Sequence, residues 1–205
     1  MDPPKPPPAN KSAAGRSLIG YLISMDTTLS YKLHSLTQPF FPSFLFLILE
    51  LSADFRLFFP ISLSLLLSPT LLRPFLPPLI LGLLLDLLVL CVIKLTFRRS
   101  RPLYNHTHSM NVAVPADHFS FPSGHASRVC FVASLAHLSA ATIRQAMAPE
   151  DEGKALNFVL LAVWVWAVVT SVSRVLLGRH FVSDVFFGAC VGVLEALFAF
   201  HFLRF

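Results

Sequence analysis

The sequence predicts an all-α membrane protein: a bundle of six transmembrane helices with a functional site at one membrane face. Of the 205 residues, 55% are hydrophobic and only 13% are charged, whereas a soluble domain carries charge on about a quarter of its residues. The apolar residues also form long runs between short charged segments, and about 20 apolar residues cross a bilayer core as a helix. The main solvent of this chain is therefore expected to be lipid.

Residues 1–32 are predicted to be a proline-rich tail and a pre-membrane segment. Residues 1–11 contain five prolines and two lysines but no apolar run. A signal peptide requires an apolar core of at least about seven residues, so this composition favours a solvated tail. Residues 33–205 are predicted to form one six-span domain.

The six spans are read from uncharged stretches between charges. The first two contain prolines and are predicted to form a tight helical hairpin around Asp54 and Arg56. The fourth reaches full length if its helix begins at Pro122. The third and sixth each contain one carboxylate, Asp86 and Glu195, for which a structural role inside the bundle is favoured. In order, the spans are Leu33–Leu49, Leu57–Leu72, Phe75–Ile93, Val129–Ile143, Ala155–Ser173 and Val185–Leu203.

Alternating crossings place three polar segments on the same membrane face. They are the segment after span three, the start of span four and the junction of spans five and six. The first of them, from Lys94 to Phe121, is the longest non-apolar segment of the domain, and long loops in compact domains are usually functional or disordered. The functional site is therefore expected where these segments meet.

Five permanent cations lie on that face. They would repel one another unless an anion lay between them, and phosphate suits both the Arg fork and the Lys ammonium group. For Arg98 and Arg99 we favour a contact with lipid head groups, as for other basic flanks of membrane spans. For Lys94, Arg101 and Arg174 we favour phosphate.

The segment before span four has the features of an anion-binding helix start. Pro122 suits a first helical turn, and the small residues Ser123 and Gly124 leave backbone N–H groups open to an anion. His125 then lies on the first turn. A lone His at a helix start is more often a polar cap than a catalyst, so this segment is not decisive alone.

His180 and Asp184 are four residues apart, so on a helix their side chains meet. A carboxylate on one ring nitrogen fixes the tautomer and leaves the other nitrogen free to attack. The alternative is an incidental interfacial hydrogen bond. The neighbouring cations favour a nucleophile and its orienting group.

Together these segments resemble the three-part signature of the type 2 phosphatidic acid phosphatase (PAP2) superfamily. The flanking residues are similar to the polyisoprenoid diphosphate phosphatase branch and to plant lipid phosphate phosphatases of the beta type. The resemblance extends from about Leu33 to Phe202. Its matching pieces are Lys94-x6-Arg101-Pro102, Pro122-Ser123-Gly124-His125 and Ser173-Arg174-x5-His180-x3-Asp184.

The resemblance implies a membrane lipid phosphatase acting on lipid phosphates or diphosphates, such as phosphatidate, farnesyl diphosphate or presqualene diphosphate. His180 would be the nucleophile that forms a phosphohistidine, and Asp184 would orient it. His125 would protonate the leaving group and then activate water. The remaining signature residues would hold the phosphoryl oxygens: Lys94, Arg101, Ser123, Gly124 and Arg174.

Neither a metal nor another cofactor is expected. Asp117 and Asp184 are the only acids on the site face, which offers no carboxylate cluster for Mg²⁺, and cationic side chains could stabilise the developing charge instead. The expected partners are the lipid bilayer and a lipid phosphate substrate. Nucleic acid is not expected despite a net charge of +5, because the basic residues lie between apolar spans.

A non-catalytic phospholipid-binding or transport membrane protein is the alternative function. Such a protein needs the cations but has no use for His125, His180 and Asp184. The orientation follows from basic residues: apart from the three phosphate ligands, eight lie on the face away from the site and five on the site face. The positive-inside rule then places both termini in the cytosol and the site in the lumen, and we expect a multi-pass protein of the endoplasmic reticulum.

Overall fold

The computed structural model describes residues 18–37, 43–67, 75–104, 118–146 and 152–203. Within these ranges the regular secondary structure is helical and no strand occurs, so the predicted all-α class is confirmed for the described residues. The predicted proline-rich tail, residues 1–11, lies outside them. The helices are α1 Leu18–Thr37, α2 Ser43–Ser52, α3 Phe55–Leu67, α4 Leu76–Phe97, α5 Gly124–Leu138, α6 Ala140–Ala146, α7 Glu152–Leu176 and α8 Val182–Phe202.

Three helices of the described part are long and apolar enough to cross a membrane. They are Leu76–Phe97, Gly153–Leu176 and Val182–Phe202, and they correspond to predicted spans three, five and six. Their outward side chains, such as Leu88 and Phe186, are apolar and exposed, as expected of a surface that lipid covers. The prediction of an integral membrane protein is confirmed, whereas the count of six spans remains a prediction.

The first predicted span overlaps two helices. α1 begins at Leu18, inside the predicted pre-membrane segment, and ends at Thr37, while α2 begins at Ser43. Residues 38–42 between them lie outside the described part of the chain. The single span over Leu33–Leu49 therefore stays a prediction.

The second predicted span is described only in part, and the fourth is not one continuous helix. α3 has 13 residues, or about 20 Å at ~1.5 Å per residue, and residues 68–72 of the second predicted span lie outside the described residues. The fourth is divided into α5 and α6 at Ser139. The predicted turn between α2 and α3 is present, and in it Arg56 Nη2 donates a hydrogen bond to Asp54 Oδ2 (2.6 Å).

α5 is the central helix of the bundle. Residues 126–135 are all buried, because α4, α7 and α8 pack around them. α8 approaches most closely through Gly188 and Gly192, where a Cβ atom would lie 2.4 Å from the Ser123 carbonyl oxygen and 2.0 Å from the Ser127 carbonyl oxygen. Small residues at this spacing let the backbones of membrane helices approach each other. The start of α5 is thereby held against the start of α8.

A buried polar network connects α4, α5 and the turn after α2. Asp86 Oδ1 accepts a hydrogen bond from the Ser127 hydroxyl (2.6 Å), and Asp86 Oδ2 accepts one from Arg128 Nη2 (3.2 Å). Arg128 Nη1 donates to the Ala53 carbonyl (2.9 Å). Charges inside a membrane bundle are stable only when paired, so this network agrees with a structural role for Asp86.

Candidate active site

The three polar segments meet at one end of the bundle. The start of α5 lies against the start of α8, where the Ser123 N–H donates to the Asp184 carbonyl (2.9 Å). The segment after α4 reaches the junction of α7 and α8, because the Ser120 carbonyl lies 2.7 Å from Nδ1 of His180. The residues that the sequence placed on one face are thus brought into one site.

Cationic side chains are buried at this point. Arg174 is fully buried, and Lys94 and Arg179 are only 3% and 5% exposed. Lys94 Nζ donates to the Phe119 carbonyl (3.3 Å), and Arg101 Nη1 donates to the Arg179 carbonyl (3.1 Å). Several like charges in a region of low dielectric constant are strongly repulsive. The arrangement therefore favours the entry of an anion.

Several buried polar atoms of the pocket have no hydrogen-bond partner in the described protein. They include Ser123 Oγ, His125 Nε2, and the Nε and Nη2 atoms of Arg174. Leaving such a group unsatisfied costs about 1–3 kcal/mol, and the N-terminus of α5 adds free backbone donors. At Gly124 an added Cβ would come no closer than 3.5 Å to a protein atom, Leu90 Cδ1. The protein therefore leaves open space beside Gly124, and a ligand can use that space to approach the Gly124 N–H group.

His180 lies in the turn between α7 and α8, not on a helix as the sequence predicted. Gly178 ends α7 with a φ of +68°, a left-handed conformation that glycine adopts without strain. The Arg174 carbonyl then accepts the N–H groups of Arg179 (3.0 Å) and His180 (3.2 Å). The chain re-enters a helix only at Val182.

The hydrogen bond to Ser120 determines the tautomer of His180. A carbonyl oxygen only accepts hydrogen bonds, so Nδ1 carries the proton and Nε2 keeps its lone pair in the neutral ring. Burial lowers the pKa of His180 well below its ordinary value, and the charges of Arg101, Arg174 and Lys94 lower it further. The ring is therefore neutral at pH 7, with Nε2 available as a nucleophile.

The predicted hydrogen bond between Asp184 and His180 is absent. Asp184 Oδ2 lies 3.8 Å from His180 Nδ1, beyond hydrogen-bond range. It accepts the Phe181 N–H instead (2.9 Å), and Asp184 Oδ1 accepts a hydrogen bond from Arg99 Nη1 (2.7 Å). The Ser120 carbonyl orients the ring, while Asp184 fixes the turn and places a negative charge beside it.

The sequence favours a contact of Arg99 with lipid head groups, and the ion pairs of Arg99 show that this interpretation is wrong. Its side chain is only 23% exposed, and its guanidinium group forms ion pairs with Asp184 and Asp26, each at 2.7 Å. Arg98 is exposed, and its Nε donates to the Leu95 carbonyl (2.8 Å). Two neighbouring arginines thus have different surroundings, which their sequence context does not reveal.

Glu50 is a second residue that the sequence reasoning missed. Its Oε2 lies 3.0 Å from Arg174 Nη1 and 3.8 Å from Arg179 Nη2. The carboxylate compensates part of the buried positive charge. One signal was present in the sequence: Glu50 is a single acid at the end of an apolar run, and such residues are usually paired.

Two comparisons with known proteins decide the family. A family model described as "PAP2 superfamily" matches residues 75–205. The Arabidopsis thaliana protein "Probable lipid phosphate phosphatase beta" is 50% identical over 199 residues, which cover 91% of this chain and 92% of the relative. The chain belongs to the PAP2 superfamily. The resemblance drawn from the three segments is confirmed, and this PAP2 protein is an enzyme, a phosphoric ester hydrolase.

Two solved structures have the same fold. The transmembrane PAP2 type phosphatidylglycerolphosphate phosphatase from Bacillus subtilis matches with a TM-score of 0.63 at 22% identity, over 91% of this chain and 87% of the other. Aquifex aeolicus LpxE matches with a TM-score of 0.56 at 20% identity, over 83% and 94%. Each match covers more residues than the segment 75–205 contains. The shared fold therefore includes part of the chain before α4.

Proposed function

We propose that this PAP2 protein is an integral membrane lipid phosphate phosphatase that works through a phosphohistidine at His180. The observation that carries the proposal is the His180 ring itself. It is neutral, its Nδ1–H is bound to the Ser120 carbonyl, and buried cations surround it. The name of the Arabidopsis relative supports a lipid phosphate as the substrate class.

In the first step, His180 Nε2 attacks phosphorus. The bond between phosphorus and the leaving oxygen breaks and the electron pair stays on that oxygen. His125 enters this step as its imidazolium form, which the negative charge of the bound phosphate favours; it gives a proton to the leaving oxygen and becomes neutral. Fixed positive charges and donors stabilise the phosphoryl oxygens in the transition state. The groups assigned to this role are Lys94, Arg101, Ser123, the Gly124 amide and Arg174.

In the second step, His125 takes a proton from water and the water oxygen attacks phosphorus. The bond between phosphorus and Nε2 breaks, its electron pair returns to the ring, and inorganic phosphate leaves. The proton stays on Nδ1, hydrogen-bonded to the Ser120 carbonyl, throughout both steps, so His180 returns to the same tautomer. The Asp184 carboxylate, 3.8 Å from the ring, stabilises the positive charge that the ring carries in the intermediate.

The substrate is proposed to be phosphatidate or an isoprenyl diphosphate such as farnesyl or presqualene diphosphate. The site lies at helix ends, so a lipid tail can remain among the exposed apolar side chains of α4, α7 and α8 while the phosphate enters the pocket. Burial contributes about 0.8 kcal/mol per CH₂ group to membrane partitioning. We therefore expect long-chain phosphates to be strongly preferred over water-soluble esters.

Activity is proposed to be independent of added metal, because cationic side chains already occupy the phosphate pocket. The protein is further proposed to span the membrane of the endoplasmic reticulum six times, with the site in the lumen. Charge counting along the chain supports this orientation. Labelling of single cysteines placed in the α2–α3 turn and in the segment before α7 would test it, since the two should react from opposite sides.

Phosphate release by the purified protein in detergent with EDTA tests the proposal. Wild-type protein should release phosphate from phosphatidate, and His180→Ala should not. His201→Ala is a matched control, because His201 is exposed near the far end of α8 and bonds only to the Leu197 carbonyl (2.8 Å). Binding of phosphatidate without phosphate release by the wild type would establish the non-catalytic alternative.

A further inference from the structure

The N-terminal helix α1 presents a polar stripe to the active site. Asp26, Ser30 and His34 are spaced by four residues and therefore lie on one face. Asp26 Oδ1 accepts the Ser183 N–H (3.0 Å), and Ser30 Oγ accepts the Val182 N–H (2.9 Å). His34 Nδ1 lies 2.6 Å from a main-chain carbonyl at the end of α7. The stripe thus contacts the two helix ends that flank the nucleophile turn.

These contacts satisfy donors that α8 cannot satisfy itself. The first N–H groups of a helix have no partner within it, and a polar N-cap side chain usually accepts one of them. The N-cap of α8 is Phe181, which has no such group. α1 provides the missing acceptors for Val182 and Ser183, although it lies outside the residues 75–205 that match the family model.

Arg99 extends the stripe to Asp184. Its Nη2 lies 2.7 Å from Asp26 Oδ2, and its Nη1 lies 2.7 Å from Asp184 Oδ1. The same guanidinium group lies over the Phe181 ring, 4.0 Å from its centroid. Charge-assisted bonds of this length have strict geometry. One planar group therefore fixes a carboxylate of α1 relative to a carboxylate beside the nucleophile.

We propose that Arg99 and Asp26 are positioning residues of the active site, acting on His180 through Asp184, and that α1 is part of the catalytic unit. The inference rests on the proposed role of His180 as nucleophile. Arg99 neutralises Asp184, which would otherwise favour a proton on the neighbouring ring. Asp26 in turn balances Arg99 and holds it in place.

A purely structural anchor for α1 predicts something different. If α1 were only held in place, changes at Arg99 and Asp26 would reduce the amount of folded protein without changing how the remaining enzyme titrates. If they position Asp184, removing each charge should move the pKa of His180, and in opposite directions. The other charged groups around His180 and its partners stay unchanged in these variants: Lys94 on α4, Arg101 after it, His125 on α5, Arg174 on α7, Asp184 on α8, and Glu50 on α2, which contacts Arg174.

The test compares full-length variants in detergent micelles with phosphatidate as substrate. Arg99→Met should lower kcat by about tenfold to a hundredfold, as for other partners that orient a functional group from outside, with little change in KM. The acid limb of the pH profile of kcat/KM should move to higher pH, because the loss of a positive charge near His180 raises the pKa of its ring. Asp26→Asn keeps the shape of the side chain, and the limb should move to lower pH.

Arg98→Met is the matched control, because Arg98 is the exposed neighbour of Arg99; it should behave as the wild type. Arg99→Lys keeps the charge but loses the fork, so its limb should stay near that of the wild type while kcat recovers only in part. Should Arg99→Met fail to fold, Arg99→Lys and Asp26→Asn still carry the comparison.

Unchanged kcat and an unchanged acid limb in Arg99→Met would overturn the inference. So would losses in the Arg99 and Asp26 variants that only follow the amount of folded protein, with no movement of the limb. Different outcomes would contradict the proposed function itself. They are a wild-type protein that releases no phosphate, or a His180→Ala variant that still releases it.

Discussion

Replacing Gly188 by Ala should reduce activity by displacing the helix ends that form the site. The new Cβ would lie 2.4 Å from the Ser123 carbonyl oxygen, whereas ordinary contact begins at 3.4 Å. The starts of α5 and α8 must therefore separate by about 1 Å. The bond from the Ser123 N–H to the Asp184 carbonyl, now 2.9 Å, would lengthen beyond hydrogen-bond range.

The magnitudes follow from this shift. A displacement of about 1 Å between groups that must act together lowers the rate by about a hundredfold, and overpacking of a tight contact lowers the free energy of unfolding by about 1–3 kcal/mol. Phosphate release in mixed micelles and thermal unfolding in the same detergent measure the two effects. Both should fall in Gly188→Ala.

Gly124→Ala is the matched control for this prediction. Its Cβ would meet only Leu90 Cδ1, at 3.5 Å, so thermal unfolding should be unchanged or slightly raised, since Ala is preferred to Gly in a helix. Any loss of activity would then arise from contact with the substrate. Gly188→Ala with wild-type stability and wild-type kcat would refute the packing argument.

Three further predictions concern single groups. Ser123→Ala removes a buried hydroxyl without a protein partner, so the free energy of unfolding should be unchanged or higher. kcat/KM should fall by about a hundredfold, the usual effect of losing one transition-state donor. A marked loss of stability with full activity would contradict the proposed binding of phosphate in the pocket. Burial lowers the pKa of His180 in the folded protein, so the unfolded chain binds more protons below about pH 6.5. The free energy of unfolding should therefore decrease as the pH falls through that value. Thermal unfolding of His180→Gln should show a smaller decrease, and an equal decrease would count against a neutral buried ring. Arg128→Met leaves the Asp86 carboxylate buried without its cation and should lower the free energy of unfolding by about 3–5 kcal/mol. Adding Asp86→Asn to this variant should recover part of the loss. If it recovers none, the broken ion pair is not the cause.

The groups proposed to bind phosphate were predictable because each lies in a short segment at a helix end. Pro122 and Gly124 indicate where α5 begins, and the motif spacing places Arg174 before the turn and His180 within it. Their convergence required only the alternation of spans. The same local signals predicted α4, α7 and α8 closely.

The groups that orient His180, the proposed nucleophile, could not be predicted in this way. Ser120 acts through its carbonyl, which no side-chain pattern reveals. Asp26 and Glu50 reach the site through the packing of α1 and α2, which are far from it in sequence. For α1 the available signal was the four-residue spacing of Asp26, Ser30 and His34, and it lay in a segment that its composition assigned to the pre-membrane region.

The most direct test of the central claim is to trap the phosphorylated enzyme. Wild-type protein would be mixed rapidly with phosphatidate carrying a radioactive phosphate, quenched in base to preserve phosphohistidine, and digested. The label should appear on the peptide containing His180, before inorganic phosphate accumulates, and should be absent from His180→Ala. Continued turnover with no label on His180, or with the label on another residue, would contradict the account.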